Sequence, residues 1–193
     1  MNAKRENAIH PAPPSPASSV VIRSAEPEDA AEISTLLGLA GTFEGMLHLP
    51  DMPVASRVEF LQRVDPQGCR LVAVAAGRIV GMAALHVQQP SLRRHHVRGL
   101  GIAVAPAWQR QGVGRRLMTR LLDWADHWAG VLRVELWVHA DNEHAIALYR
   151  SLGFVEEGRH RAYALKDGRY IDSLSMARLH PQPPQLPGAN QKI

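Results

Sequence analysis

Hydrophobic and polar positions along the chain fall into two rhythms. Val20-Val21-Ile22-Arg23, Arg70 to Ala75, Arg78 to Gln88, Val97 to Val104 and Leu132 to Val138 are short apolar runs that predict strands. Ala30, Ile33, Leu36, Leu37 and Ala40 recur at helical spacing. That helix is entered at Ser24 to Glu28, where Pro27 suits a first turn and Glu28 and Asp29 face the positive helix end. A loop from Gly41 to Pro53 leads to a second helix, Val54 to Val64, ended by Asp65-Pro66. An amphipathic helix runs to His127, and a shorter one spans Asn142 to Ser151. Gly153-Phe154 opens a further strand. Ala76-Gly77 marks one hairpin, and Asp167-Gly168 marks another between Arg161–Lys166 and Arg169–Met176. The sum is an α/β (α+β) layer: a mixed, mostly antiparallel twisted sheet with helices on both faces. One parallel step crosses the central helix and sets its N-terminus beside strand ends.

Composition narrows this picture. The 193 residues suffice for one domain with a core. Residues 1–19 and 180–193 are rich in proline and lack apolar periodicity, which predicts disordered tails around a folded unit at 20–179. No run is long and apolar enough to span a membrane, and the first residues lack the apolar core of a signal peptide. The single cysteine, Cys69, excludes an internal disulfide framework and suits a cytoplasmic setting. It opens a strand with no base nearby, which argues against a nucleophile. The formal net charge is +4, with arginines concentrated at 93–98 and 110–120. A small acidic ligand accounts for that focus. Nucleic acid does not, because the basic runs lack interleaved aromatics and match no groove-reading motif. Ten histidines raise the question of a metal. His95-His96 would point apart on a strand, and His139 and His144 lack the helical spacing of a zinc pair, so no metal is expected.

The stretch from Val97 to His127 carries the chemistry. A strand ends near Val104, Pro106 breaks it, and Gln109-Arg110-Gln111-Gly112-Val113-Gly114 turns into a helix. A helix start leaves backbone N–H groups unpaired and carries partial positive charge, so it accepts an anion. Gly112 and Gly114 allow a diphosphate to approach the backbone, and Arg110, Arg115 and Arg116 add charge at the rim. There is no Lys-Ser/Thr after the glycines and no third glycine in dinucleotide spacing.

Downstream stands Asn142-x2-Ala145-x2-Leu148-Tyr149-x3-Gly153-Phe154. The two motifs together resemble the GCN5-related N-acetyltransferase (GNAT) superfamily, over the whole segment Val20–Leu179. The resemblance implies acetyl-CoA as donor and an amine as acceptor, with no metal. It implies that Gln109, Arg110, Gln111, Gly112, Val113, Gly114 and Arg115 hold the diphosphate. The strands at 97–104 and 132–138 would splay apart, with pantetheine pairing to the strand backbone near Ile102 and Val104. Asn142 would hydrogen-bond the pantetheine arm, and a strand amide near Leu100 to Ile102 would polarise the thioester carbonyl. Tyr149 would be the general acid that protonates the departing thiolate. Leu148-Tyr149 also reads as a core pair on an amphipathic helix.

One departure concerns the base. Several relatives carry a carboxylate on the organising strand where this chain has Gly99. Glu44, His139, Glu135 and Asp172 remain as candidates, with Glu135 also readable as an outward strand residue and His139 as a strand-end surface residue. The finer resemblance, carried by ELWVHADNEHAIALYRSLGFVEEG, Tyr163-Ala164-Leu165 and Asp167 to Asp172, is to enzymes acting on free amino acids or small amines. It implies an acceptor pocket built from Phe43, Glu44, His139, Tyr163 and Asp172, with Arg93, Arg94 or Arg98 available for a carboxylate. The same segments occur in relatives acting on protein N-termini and other amines, and polyamines are a further alternative. A CoA-binding regulatory module without turnover is a competing reading, and a homodimer is compatible with the resemblance.

Overall fold

The structure, a computed structural model, describes residues 20–49, 51–63 and 65–185. The tail expected at 1–19, and 186–193 of the one expected at 180–193, lie outside the described residues. The strands are β1 (Val21–Ser24), β2 (Cys69–Ala75), β3 (Arg78–His86), β4 (Val97–Val104), β5 (Arg133–His139), β6 (Val155–Lys166) and β7 (Arg169–Leu179). They form one sheet in the order β1-β2-β3-β4-β5-β7-β6. Every neighbouring pair is antiparallel except β4 and β5, as the crossover predicts.

Among the described residues four helices, α1 (Ala30–Leu37), α2 (Val54–Gln62), α3 (Val113–His127) and α4 (Glu143–Ser151), cover the two faces. Period-two alternation on β2 sends Leu71, Ala73 and Ala75 toward α3, and Val72 toward α1. On α3, Val113, Leu117, Leu121 and Ala125 lie four apart and are buried, joined by Met118 and Leu122. Burying a Leu or Met side chain of this kind contributes about 1.5–3 kcal/mol. Asp126 of α3 also takes a paired hydrogen bond from Arg178 of β7, at 2.9 and 2.7 Å. His180, just beyond β7, is held at 3.0 Å from the Asp126 carbonyl.

Several expectations need correction. The first helix stops at Leu37, and Ala40 is exposed, while Thr42 beyond it is buried. A one-turn 3-10 segment at Pro27–Asp29 precedes it, where the Glu26 amide donates to Asp29 and Arg23 grips the same carboxylate. His95 and His96 are not on a strand: they follow a 3-10 turn at Leu92–Arg94, and their rings meet edge to face at 5.8 Å. Gly153-Phe154 leads directly into β6, with Phe154 buried in the core. β6 then runs unbroken to Lys166, with register shifts between Glu156 and Gly158 and between His160 and Ala164.

Candidate active site

The β4–β5 ladder consists of three register pairs, Val97–Arg133, Arg98–Val134 and Gly99–Glu135. Beyond Gly99 the strands part. The Ala105 amide donates to Val80 on β3, so the alternation of an antiparallel ladder turns Ala103 and Gly101 toward β3 as well. Leu100, Ile102 and Val104 therefore direct their N–H and C=O groups into the parting. There Gln109 Nε2 donates to the Val104 carbonyl at 3.0 Å and to the Gly41 carbonyl at 3.4 Å.

A cleft of about 760 Å³ occupies this parting. One wall is the start of α3. The backbone is left-handed at Arg110 (φ 61°) and at Gly112 (φ 81°), a turn sequence in which neighbouring N–H groups converge. No side chain caps α3, and its first intrahelical bond is donated by Arg116 to the Gly112 carbonyl. The amides of Val113, Gly114 and Arg115 thus face outward from the helix end without an intrahelical acceptor. A Cβ at Gly112 would meet nothing within 4 Å, so the space over this turn is open. These features fit a diphosphate. Gln109, Arg110, Gly112, Gly114 and Arg115 border the cleft. The Gln111 side chain turns back to the Ala107 carbonyl at 2.7 Å, and the Val113 side chain is buried in the core, leaving only their backbone for a ligand. Arg115 is steadied by Ser151 of α4 at 2.9 Å, whereas Arg116 points away to the Val20 carbonyl.

Asn142 caps α4: its Oδ1 accepts the Ala145 amide at 3.1 Å, which leaves Nδ2 as the group it can offer a ligand. Tyr149 lies one helical stretch further on. It packs on Phe154 with ring centroids 5.8 Å apart and also borders the cleft. Its hydroxyl has no hydrogen-bond partner among the described residues, and burial pushes its pKa up to about 12. The core reading and the cleft reading of this residue are both met.

The opposite end of the cleft departs from the sequence expectations. Tyr163 and His139 border it, but Phe43, Glu44 and Asp172 do not. The Glu44 carboxylate accepts the Gly41 amide, which holds its own loop. Asp172 accepts from Arg159 at 2.7 Å and from the Ala162 amide at 2.9 Å, pinning the bulge of β6, and both bonds lower its pKa. Glu135 is not outward-facing: it is buried between Arg94, at 2.5 Å, and Arg133, at 3.1 Å. Arg98 is equally committed, to the carbonyls of Gln67, His95 and Val97. None of Arg93, Arg94 and Arg98 borders the cleft.

His139 is not a surface residue. It is 6% exposed. On β5, Val134, Leu136 and Val138 face α3, which puts Glu135, Trp137 and His139 on the other side. Among the described residues, the buried side-chain atoms without a partner are Thr42 Oγ1, Arg57 Nη1 and His139 Nδ1, and two of these residues border the cleft. An orphaned buried polar atom costs about 1–3 kcal/mol, and such costs collect at ligand sites. Sequence reasoning missed Thr42, Leu47, His48, Trp137 and Ser173 as cleft residues. Alternation along LRVELWVH would have found Trp137 and placed His139 with it.

A turn that fits a diphosphate, beside a gap with open strand edges, fits a transferase that uses an acyl-CoA donor. The chain belongs to the Acetyltransferase (GNAT) family, whose profile matches residues 40–154. It is 37% identical over 163 residues to the L-amino acid N-acetyltransferase AaaT of Escherichia coli K12, covering 84% of this chain and 99% of that protein. It is 36% identical over 141 residues to the ribosomal protein bS18-alanine N-acetyltransferase of the same organism, covering 68% and 93%. Among solved structures it is similar to the spermidine N-acetyltransferase of Vibrio cholerae in complex with CoA and spermine. That match has a TM-score of 0.72 and 26% identity, and covers 83% of this chain and 95% of that one. The chain is an acetyl-CoA-dependent N-acetyltransferase of the GNAT type.

Proposed function

We propose that this enzyme acetylates the α-amine of a free amino acid or a related small amine, by direct aminolysis, within one domain at residues 20–179. The observation that carries the reading is the charge of the cleft. Among its described lining residues there is no aspartate or glutamate. A polyamine's second ammonium would enter without a counter-charge, whereas the carboxylate of a zwitterion would meet no opposing carboxylate. The similarity to the L-amino acid N-acetyltransferase supports the same acceptor.

Acetyl-CoA supplies the activated acetyl thioester. The amides of Val113, Gly114 and Arg115 hold the diphosphate, each charge-assisted bond contributing about 1.5–3 kcal/mol. Ile102 and Val104 offer strand edges to the pantetheine amides, and Asn142 Nδ2 donates to the same arm. An amide between Leu100 and Ile102 takes the developing oxyanion. Tyr149 donates its phenolic proton to the departing thiolate, a donor that stays protonated throughout the neutral range because burial raises its pKa. Holding amine and thioester together can lower the barrier by roughly 7–11 kcal/mol.

Acetyl-CoA use and the single cysteine fit a cytoplasmic setting. The exposed Val155, Leu165 and Tyr170 on the terminal hairpin support pairing of two copies, which light scattering tests. Thiol release, measured across free amino acids, spermidine and N-terminal peptides, tests the acceptor. Turnover of amino acids above the other two classes is expected. Activity confined to polyamines or to peptides overturns the reading, and binding of acetyl-CoA with no thiol release from any amine would indicate a regulatory module.

A further inference from the structure

An alkyl amine reaches the site as its ammonium form, so one proton must leave before nitrogen can attack. The cleft offers no carboxylate among its described lining residues to take it. Of the carboxylates read from sequence as bases, Glu44, Glu135 and Asp172 are each tied to another partner and do not line the cleft. The remaining candidates are the histidines. His144 is exposed on the first turn of α4, beside Asn142 and so on the donor side. His48 sits on the 41–49 loop, and both burial and the Arg57 charge hold its pKa down.

His139 differs from both. It shares a sheet face with Trp137 at the end of β5, and the β4–β5 register carried past Gly99 sets Trp137 level with Gly101, where a Cβ would meet nothing within 4 Å. Its Nδ1 is sealed, and a ring ready to accept a proton at Nε2 carries its one hydrogen on Nδ1, with the Glu44 main chain as the group that favours a proton on the ring. Nε2 is not among the sealed atoms, which leaves it as the nitrogen that can meet the cleft. We propose that His139 is the catalytic base of this enzyme, taking at Nε2 the proton that the acceptor ammonium gives up.

The step balances. His139 takes one proton from the ammonium, and the free amine attacks the thioester carbonyl, forming the C–N bond. The C–S bond breaks, and the thiolate takes a proton from Tyr149. The amide nitrogen sheds its surplus proton, which restores the Tyr149 phenol. His139 returns its proton to solvent, so one proton is released per turnover. The charged groups around the ring are consistent with this cycle. Burial lowers its pKa most, Lys166 at the end of β6 lowers it further, and Asp141 and the Glu44 main chain raise it. Lys166 and Asp141 are themselves paired at 3.0 Å, and the Glu44 carboxylate is turned to the Gly41 amide. The resting ring is therefore neutral at pH 7, and Asp141 and the Glu44 main chain stabilise it once it is charged.

The inference rests on the acetyl transfer and not on which amine is the acceptor, so it is tested with the best acceptor found. In His139→Gln, kcat is expected to fall about 100-fold or more. The acid limb of kcat/KM, expected in the wild type below the ordinary histidine range, should vanish. Acetyl-CoA affinity by calorimetry should change less than about twofold, which reports an intact fold, and His139→Asn serves if the glutamine does not pack. In the wild type the same limb should stay in place when the acceptor is exchanged for one with a more acidic amine. A kcat near wild type, or a limb that moves with the acceptor, overturns the proposal.

Discussion

The imidazole of His86 lies across the face of Gly99, so close that a Cβ at residue 99 would come within 2.8 Å of Nε2. The two residues are register partners on β3 and β4, and Gln88 Oε1 stands 3.2 Å from the same point. The bare position is thus filled from the neighbouring strand. Gly99→Ala should destabilise the protein by displacing the ring, and less so once His86 is alanine. A double-mutant cycle by thermal unfolding should give a coupling of about 0.5–1 kcal/mol. Strict additivity would show that the ring swings away freely.

Asn142 serves the helix with one atom and the cleft with another. Asn142→Ala should cost about 1 kcal/mol of stability through loss of the cap, and should weaken acetyl-CoA binding as well. Asn142→Asp keeps an accepting oxygen at the cap and places negative charge at a helix N-terminus, so stability should hold. It loses Nδ2, so acetyl-CoA affinity should still fall. Denaturant unfolding and calorimetry on the pair separate the two roles.

Tyr149→Phe should leave stability at neutral pH within about 0.5 kcal/mol, because the hydroxyl makes no hydrogen bond among the described residues. Its kcat should drop about 100-fold with acetyl-CoA affinity unchanged. The pH dependence has a definite sign. Folding raises this phenol from its ordinary value of 10.0 to about 12, so the folded form holds the neutral group more tightly than the unfolded chain does. Stability from this source is complete below pH 10 and is lost as pH rises toward 12. The phenylalanine variant should lack that part of the alkaline decline in urea midpoints.

Gly112 and Gly168 are a matched pair for testing the cradle. Both are left-handed, at φ 81° and 73°, and a Cβ at either would meet nothing within 4 Å. Alanine at each should therefore cost a similar backbone strain, roughly 1–2 kcal/mol. Only Gly112 borders the cleft, so only Gly112→Ala should weaken acetyl-CoA, by about tenfold or more, equivalent to about 1.4 kcal/mol. Equal affinities in the two variants would remove the turn from the binding site.

The elements proposed for the donor were legible because they are written locally. The turn at 109–114 and the cap at Asn142 are set by residues adjacent in sequence, and each fold element there formed where its pattern predicts. The acceptor half was less legible because distant ion pairs decide it. Nothing near Glu135 in sequence announces Arg94, which reaches it from forty-one positions away, and nothing near Asp172 announces the Ala162 amide. Thr42 was hidden for a different reason. The helical rhythm of 30–37 continues to Ala40 on paper, but the helix ends at Leu37 and the chain turns Thr42 inward instead.

With only three rungs between β4 and β5, the sheet is two leaves hinged at one end, β1 to β4 on one side and β5 to β7 on the other. A molecule laid along the open seam with bonds to both edges would act as an eighth strand and stiffen the whole blade. Amides on both leaves should then exchange more slowly in the loaded enzyme than in the bare one, including those far from any contact with the donor. The reagent that is consumed in each cycle would also be the piece that completes the scaffold.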